Sequence, residues 1–201
     1  MSRLLCWAAC LLGACAGSAR MPPEVYDFGP PVQRLSADGR WTTVALEIKT
    51  PSWLDSPAIE YRLLYENPLK LRHYAASRWA GAPGQLLAQR LREQLGLVGA
   101  TGQSACWLRL ELHEFAQVFD TPELSRGLLQ GRAILLDARR RIVAERFVVS
   151  EQSALSADAR GGVSALASAS TELGRQIAAW LNDLEKRGSL KSCRSTAAES
   201  Q

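Results

Sequence analysis

The side chains best suited to covalent or metal chemistry in this 201-residue chain are five cysteines and two histidines. Cys15 has the most specific surroundings. It closes Leu12-Gly13-Ala14-Cys15, where an apolar residue and two small ones precede a thiol, the arrangement of a bacterial lipobox. Small residues are needed there because a signal peptidase must admit the backbone and the thiol must face a lipid donor. Cys6 has almost no apolar run before it, and Cys10 has the bulky Trp7 three residues upstream. Cys15 is therefore the expected lipid-attachment residue.

The flanking sequence agrees. Met1-Ser2-Arg3 makes a short positive start, and the apolar run Leu4 to Ala14 is far below the about 20 residues a helix needs to cross a bilayer. It has the length of a signal-peptide core. Ala16 to Pro23 is small, polar and Pro-containing, which reads as a flexible tether. The expected organisation is a lipoprotein signal peptide over 1–14, a tether over 15–24, one domain over 25–187 and a polar, mobile tail over 188–201. An ordinary cleaved secretion signal or a plain hydrophobic N-terminus is the competing reading. Ala16 is not the aspartate that marks retention at the inner membrane, so the outer membrane, on its periplasmic face, is the expected address. With Cys15 lipidated in an oxidising compartment, Cys106 and Cys193 form a candidate disulfide. On the chain-entropy model the closure of so long a loop contributes roughly 4–5 kcal/mol. A buried free Cys106 with a loose Cys193 is the alternative.

Other chemistry has little material. His73 and His113 are far apart in sequence, too few for a metal site or a triad, so both read as structural. Glu111 and Glu114 are expected on opposite faces of one strand. Asp55 sits in a Pro-bounded loop where a turn role is commonest. No G-x-S-x-G elbow occurs, and the glycines Gly96, Gly99 and Gly102 follow a helix instead of opening one. The expectation is no catalysis, no metal and no cofactor beyond the lipid on Cys15. A formal net charge of +4 is too small a margin for nucleic-acid binding. The one dense basic run, Arg139-Arg140-Arg141, reads as a solvated hairpin turn, with contact to anionic headgroups as the lesser reading.

The elements follow from periodicity. Val25 to Gly29 reads as a short strand stopped by Pro30-Pro31, and Trp41 to Thr50 and Ile59 to Tyr65 alternate in the manner of half-buried strands. Between the latter two lies the loop Pro51 to Pro57. A strand is expected around Leu69 to His73, then a helix from about Gln85 to Leu95 with Gly96 as its stop. Three longer strands follow, at Ala105 to Phe119, Gly127 to Asp137 and Ile142 to Ser153, joined closely enough for an antiparallel meander. Ala157 to Lys186 reads as a long helix whose stripe of Val163, Leu166, Ser170, Leu173, Ile177, Trp180 and Leu184 docks on the sheet or forms a partner seam. Paired or ring-like self-assembly is compatible with that stripe. The fold class is α+β: one domain, a largely antiparallel sheet, helices packed on one face and a long C-terminal helix.

An ordered set of these residues resembles a known family. Tyr26-Asp27-Phe28-Gly29 stands where the family has a Tyr-x-Leu-Gly-like strand. Leu54, Asp55, Pro57, Ile59 and Arg62 meet its Leu-Asp-x-Pro-x-Ile-x-x-Arg stretch, and Trp79 precedes the helix carrying Leu86-Leu87 and Leu91 to Leu95. Phe115, the Leu128 to Leu136 run and Trp180-Leu181 complete the pattern. The combination resembles the ABC-type transport auxiliary lipoprotein family over nearly the whole mature chain. The resemblance implies an outer-membrane lipoprotein working with an ABC transporter or a substrate-binding subunit of the mammalian-cell-entry type, moving phospholipids or other hydrophobic molecules. It implies no nucleotide site. A structural or assembly lipoprotein without transport is the rival class. In either case Trp53, with Leu54 and Asp55 beside it, is the candidate partner contact, a rigid aromatic anchor. Its alternative role is to fold back and cap the core.

Overall fold

Three segments with period-two apolar alternation build the centre of the molecule. They are β5 (Cys106–Phe119), β6 (Ser125–Asp137) and β7 (Ile142–Ser153), paired antiparallel in a meander. The computed structural model describes residues 21–30, 33–35, 41–97 and 104–193. Around the meander stand β1 (Glu24–Tyr26), β2 (Val44–Lys49), β3 (Ala58–Leu63) and β4 (Leu71–Trp79), with helices α1 (Pro83–Leu95) and α2 (Ala159–Lys186). The sheet order is β1-β4-β3-β5-β6-β7, with β2 also paired to β5. The domain is α+β, with a mixed, mostly antiparallel open sheet and a long C-terminal helix.

Parallel pairing is the part that period alone does not disclose. β1 runs parallel to β4, and both β2 and β3 run parallel to β5. β2 occupies the flank of β5 from Cys106 to Glu111 and β3 the same flank from Gln117 to Phe119. The two short strands thus follow one another along one side of a long one, and residues 50–57 loop out where they meet.

A bulge between Leu112 and Glu114 inserts His113 as an extra residue opposite β6. It resets the alternation, so Leu112 and Phe115 both face the core. The expectation that Glu111 and Glu114 point to opposite faces is therefore corrected. Their partners Arg132 and Gln130 lie two residues apart on β6, which puts both carboxylates on the helix-free face.

α2 lies across β5, β6 and β7, and α1 packs against α2 and β2. The stripe read from the sequence is buried throughout, so it docks on the chain's own sheet. Asp158 caps α2 by accepting the Gly161 N–H at 2.8 Å, which with the Ser156 hydroxyl holds its carboxyl below the usual range. Near the start of both elements, Gly127 of β6 lets the helix rest directly on the strand. A Cβ there would sit 2.6 Å from the Leu166 nitrogen. Under α1, Phe28, Trp79 and Phe115 form an aromatic cluster with centroids 5.3–5.9 Å apart.

Cys106 and Cys193 are bonded, with Cα atoms 5.0 Å apart and a sequence separation of 87. The chain after α2 is accordingly packed as far as Cys193: Leu190 is buried, and Thr43 Oγ1 donates to the Cys193 carbonyl at 2.9 Å. This corrects the expected mobile tail for residues 188–193; residues 194–201 lie outside the described ones. Replacing Cys193 with serine is expected to cost about 2–5 kcal/mol, read as a lower denaturation midpoint. Intact mass before and after alkylation without reductant should show neither thiol reactive in the parent chain.

Candidate partner-contact site

The loop between β2 and β3 is short, bounded by Pro51 and Pro57, and carries one 3₁₀ turn at Ser52–Leu54. Its backbone closes on itself through Leu54 N–H to Pro51 O at 2.9 Å and Asp55 N–H to Ser52 O at 3.2 Å. The Thr50 hydroxyl donates to Asp55 Oδ1 at 2.6 Å. One turn of helix turns adjacent side chains well apart, and here they part company. Leu54 is 2% exposed and belongs to the core, whereas Trp53 is 58% exposed. Leu54 is thus removed from the expected contact set: it nails the loop down from beneath. Asp55 stays at the surface as the loop's internal acceptor. Trp53 does not fold back to cap the core.

Beside this loop runs a hollow of about 290 Å³ between β2 and the start of α1. Leu46, Ile48 and Ala88 supply its apolar wall, Asp55 and Arg92 its charges. It exists because α1 begins close against β2 at Gly84, where a Cβ would meet Thr50 Cγ2 at 2.7 Å. A second hollow of about 200 Å³ is lined by Asp27, Phe28, Gly29 and Arg90 among others. The buried Arg90 guanidinium donates to the carbonyls of Phe28, Gly29 and Pro30. Burial lowers its pKa, with Glu93 and Asp27 opposing. Arg90 clamps the chain just after β1 onto α1. The sequence carried a signal for it, a charged residue three positions after Leu87 on the buried stripe.

The helix-free face of the sheet is charged and cross-linked. Arg62 meets Glu114 at 3.1 Å, Arg132 meets Glu111 at 3.1 Å, and Arg109 and Arg140 both meet Glu47 Oε2 at 3.0 Å. Burial works against the Glu47 carboxylate, but hydrogen bonds from Lys49 and Arg109 carry its pKa down to about 2. The arginine triplet divides: Arg140, at φ +63°, lays its guanidinium 3.5 Å from the centre of the Trp107 ring, and Arg141 pairs with Asp137 at 2.7 Å. Arg140 thus ties the turn to β2 and β5, and Arg141 ties it to β6. On the same face Glu60 keeps one carboxyl oxygen buried without a hydrogen-bond partner. Burial, then the charge of Glu114, pushes its pKa up to about 7, with Arg62 opposing.

The histidines stand apart from one another. His73 pairs in register with Glu60, and His113 sits in the bulge with its ring 6.2 Å from Phe147. Among the described residues no three His, Cys, Asp or Glu side chains cluster to hold a metal, and no helix is long and apolar enough to cross a membrane. Cys15 lies outside the described residues. The disulfide, beside Val44 at the start of β2, and the Trp53 loop, just past the end of β2, stand apart from each other.

No family model and no curated protein matches this chain. Solved structures share its fold. A Xanthomonas campestris protein described under the family model DUF330 aligns with a TM-score of 0.64 at 18% identity, over 82% of this chain and 98% of its own. A protein described as uncharacterized aligns at 0.63 and 15% identity, over 80% and 99%. A candidate lipoprotein of Caulobacter crescentus aligns at 0.42 and 15% identity, over 71% and 92%, which is too loose to carry an argument. The chain thus shares the fold of the first two of these structures. Phe28, Leu54, Ile59, Trp79, Leu87 and Phe115, all singled out in the sequence, are core residues here.

Trp53→Ala is expected to leave the melting temperature nearly unchanged, and Leu54→Ala to cost about 2–5 kcal/mol. Calorimetry of the two variants side by side checks this. Glu60→Gln is expected to raise the melting temperature at pH 8. The folded-state pKa lies above the ordinary 4.5, so the native state takes up the proton more readily, and the penalty is full above about pH 7 and fades as pH falls toward 4.5. The gain should vanish by about pH 4.5; an equal gain at both pH values would show that ionisation is not its cause.

Proposed function

We propose that this chain is a lipid-anchored accessory protein of a cell-envelope transport system of the ABC, mammalian-cell-entry-like kind. In this reading Cys15 carries the lipid and the domain stands at the periplasmic face of the outer membrane. It contacts transporter or substrate-binding subunits that move lipids or other hydrophobic molecules, and performs no catalysis of its own.

The observation that carries the reading is Leu12-Gly13-Ala14-Cys15 closing an apolar run behind Arg3. An acyl chain contributes about 0.8 kcal/mol per buried CH₂, so a cysteine residue carrying more than one chain gives the stable anchoring that a single chain does not. Two features of the domain support an accessory role. Trp53 is a large aromatic held outward on a loop pinned by Leu54, a preorganised anchor that loses little freedom on binding. The hollow beside it, with apolar walls and charges of both signs at Asp55 and Arg92, suits a protein surface better than a small reactant. The shared fold with the DUF330 structure and the ordered family resemblance are consistent with both.

Cells fed labelled palmitate should yield a labelled polypeptide, and Cys15→Ser should be unlabelled and released from the membrane fraction. An unlabelled parent chain, or a Cys15→Ser chain retained as before, overturns the anchor. Affinity purification from the native membrane should recover an ATPase, a permease or a mammalian-cell-entry subunit, with Trp53→Ala recovering about tenfold less, the loss of a typical hot-spot residue. A lipidated chain that brings down none of them overturns the transport role.

A further inference from the structure

Three loops leave the sheet at one end. Leu63, Phe119 and Ser125 fall in one register row across β3, β5 and β6, and Ser153 of β7 pairs with the adjoining Arg126. Beyond that row lie residues 64–70, 120–124 and 154–158. Each loop turns a leucine into solvent: Leu69 is 89% exposed, Leu124 64% and Leu155 95%, with Tyr65 half-exposed beside them. Single exposed leucines are ordinary on a protein surface. One on each of three neighbouring tips makes a common apolar edge, the kind of feature that marks a docking surface.

Charges just behind the tips are largely neutralised in place. Glu66 pairs with Arg72, and Asp120 with Arg126, which also reaches Glu151 at 3.3 Å. Glu123 accepts from the Thr121 hydroxyl at 3.2 Å. Paired charges cost less to bring against a headgroup layer than isolated ones.

The N-terminal chain comes from the same end. β1 is parallel to β4, with Glu24 beside Ser77 and Tyr26 beside Trp79, and β4 begins at Leu71 next to Arg62. Tracing backward from Glu24 therefore leads toward the tips. Glu24 and Tyr26 also share a hollow of about 410 Å³ with Asp158, Ala159 and Arg160, the start of α2, which follows directly on the third loop. From Ser77 back to Leu71 is about 20 Å of strand. The run of about nine residues from Cys15 to Glu24 reaches up to about 30 Å, past the row of tips. The hairpin of Arg139, Arg140 and Arg141 and the Cys106–Cys193 bond lie at the opposite end of β5.

We propose that Leu69, Leu124 and Leu155, with Tyr65, seat this end of the sheet in the surface of the phospholipid bilayer that holds the anchor. The proposal rests on the reading of Cys15 as the lipidated residue. The domain then stands upright, with β5 extending about 45 Å from the headgroups and the Trp53 loop carried part-way up its flank.

The test uses the mature lipidated protein in vesicles of phosphatidylethanolamine and phosphatidylglycerol, with an environment-sensitive fluorophore on a cysteine replacing Leu69, Leu124, Leu155 or, at the far end, the exposed Ile142. The three tip probes should shift to the blue and resist an aqueous quencher, and the probe at 142 should do neither. In the unlipidated Cys15→Ser chain, Leu124→Asp with Leu155→Asp should lower partition onto the same vesicles by about tenfold or more. Tip probes quenched as freely as the one at 142, on protein whose mass shows lipid on Cys15, overturn the docking and leave the anchor standing. A mass without lipid overturns the anchor alone, and the tip probes against excess vesicles then decide the docking by the same two results. A blue shift without vesicles that grows with protein concentration assigns the tips to a second copy and overturns the proposal.

Discussion

Backbone pairing on both flanks of β5 is the constraint from which the rest of the structure follows. One flank is given wholly to β6, and the other is divided between β2 and β3. Buried N–H and C=O groups must be paired, and two short parallel strands in succession pair that flank over Cys106 to Glu111 and Gln117 to Phe119. The join cannot be straight, because the chain has to leave the sheet between Lys49 and Ala58. Pro51 and Pro57 make that exit rigid, and burial of Leu54 stops it flapping. Trp53 is exposed for that reason: the loop has one inward position, and leucine holds it.

The two faces of the sheet solve different problems. The inner face is dry, closed by α2 resting on the backbone of β6 at Gly127 and by the Phe28, Trp79 and Phe115 cluster. Neither α1 nor α2 covers the outer face, and it replaces apolar contacts with a lattice of arginine–carboxylate pairs. Half-exposed pairs of this kind stabilise little one by one. Their evident effect is to keep a broad sheet face from presenting an apolar surface to another sheet. Glu60 departs from the scheme, a carboxylate with a buried, unpartnered oxygen beside Glu114.

The ends of the sheet differ as well. At one end the disulfide, the Thr43 contact and the Arg140–Trp107 stack knit the termini of β2, β5, β6 and the C-terminal segment together. At the other, the loops carry leucines whose side chains stand mostly in solvent. A basic triplet is the feature usually sought when asking which surface meets a membrane. Here two of its three arginines are engaged within the protein, at the end away from the N-terminal approach.

Element types, the order of strands and helices, the long amphipathic α2 and the α+β class were legible because each rests on local periodicity and capping, which act over a few residues. The eligibility of Cys106 and Cys193 as a pair was legible for the same reason, being a matter of residue type and count. Parallel pairing of β1, β2 and β3 was not, since register between distant segments leaves no mark on either one. Nor was the bulge at His113, which put Glu111 and Glu114 on one face, because one inserted residue reverses every later position in an alternating pattern. The parting of Trp53 from Leu54, the Arg90 clamp and the gathering of three leucine tips at one end were likewise decided by tertiary structure alone, for each depends on which surfaces the packed chain leaves uncovered.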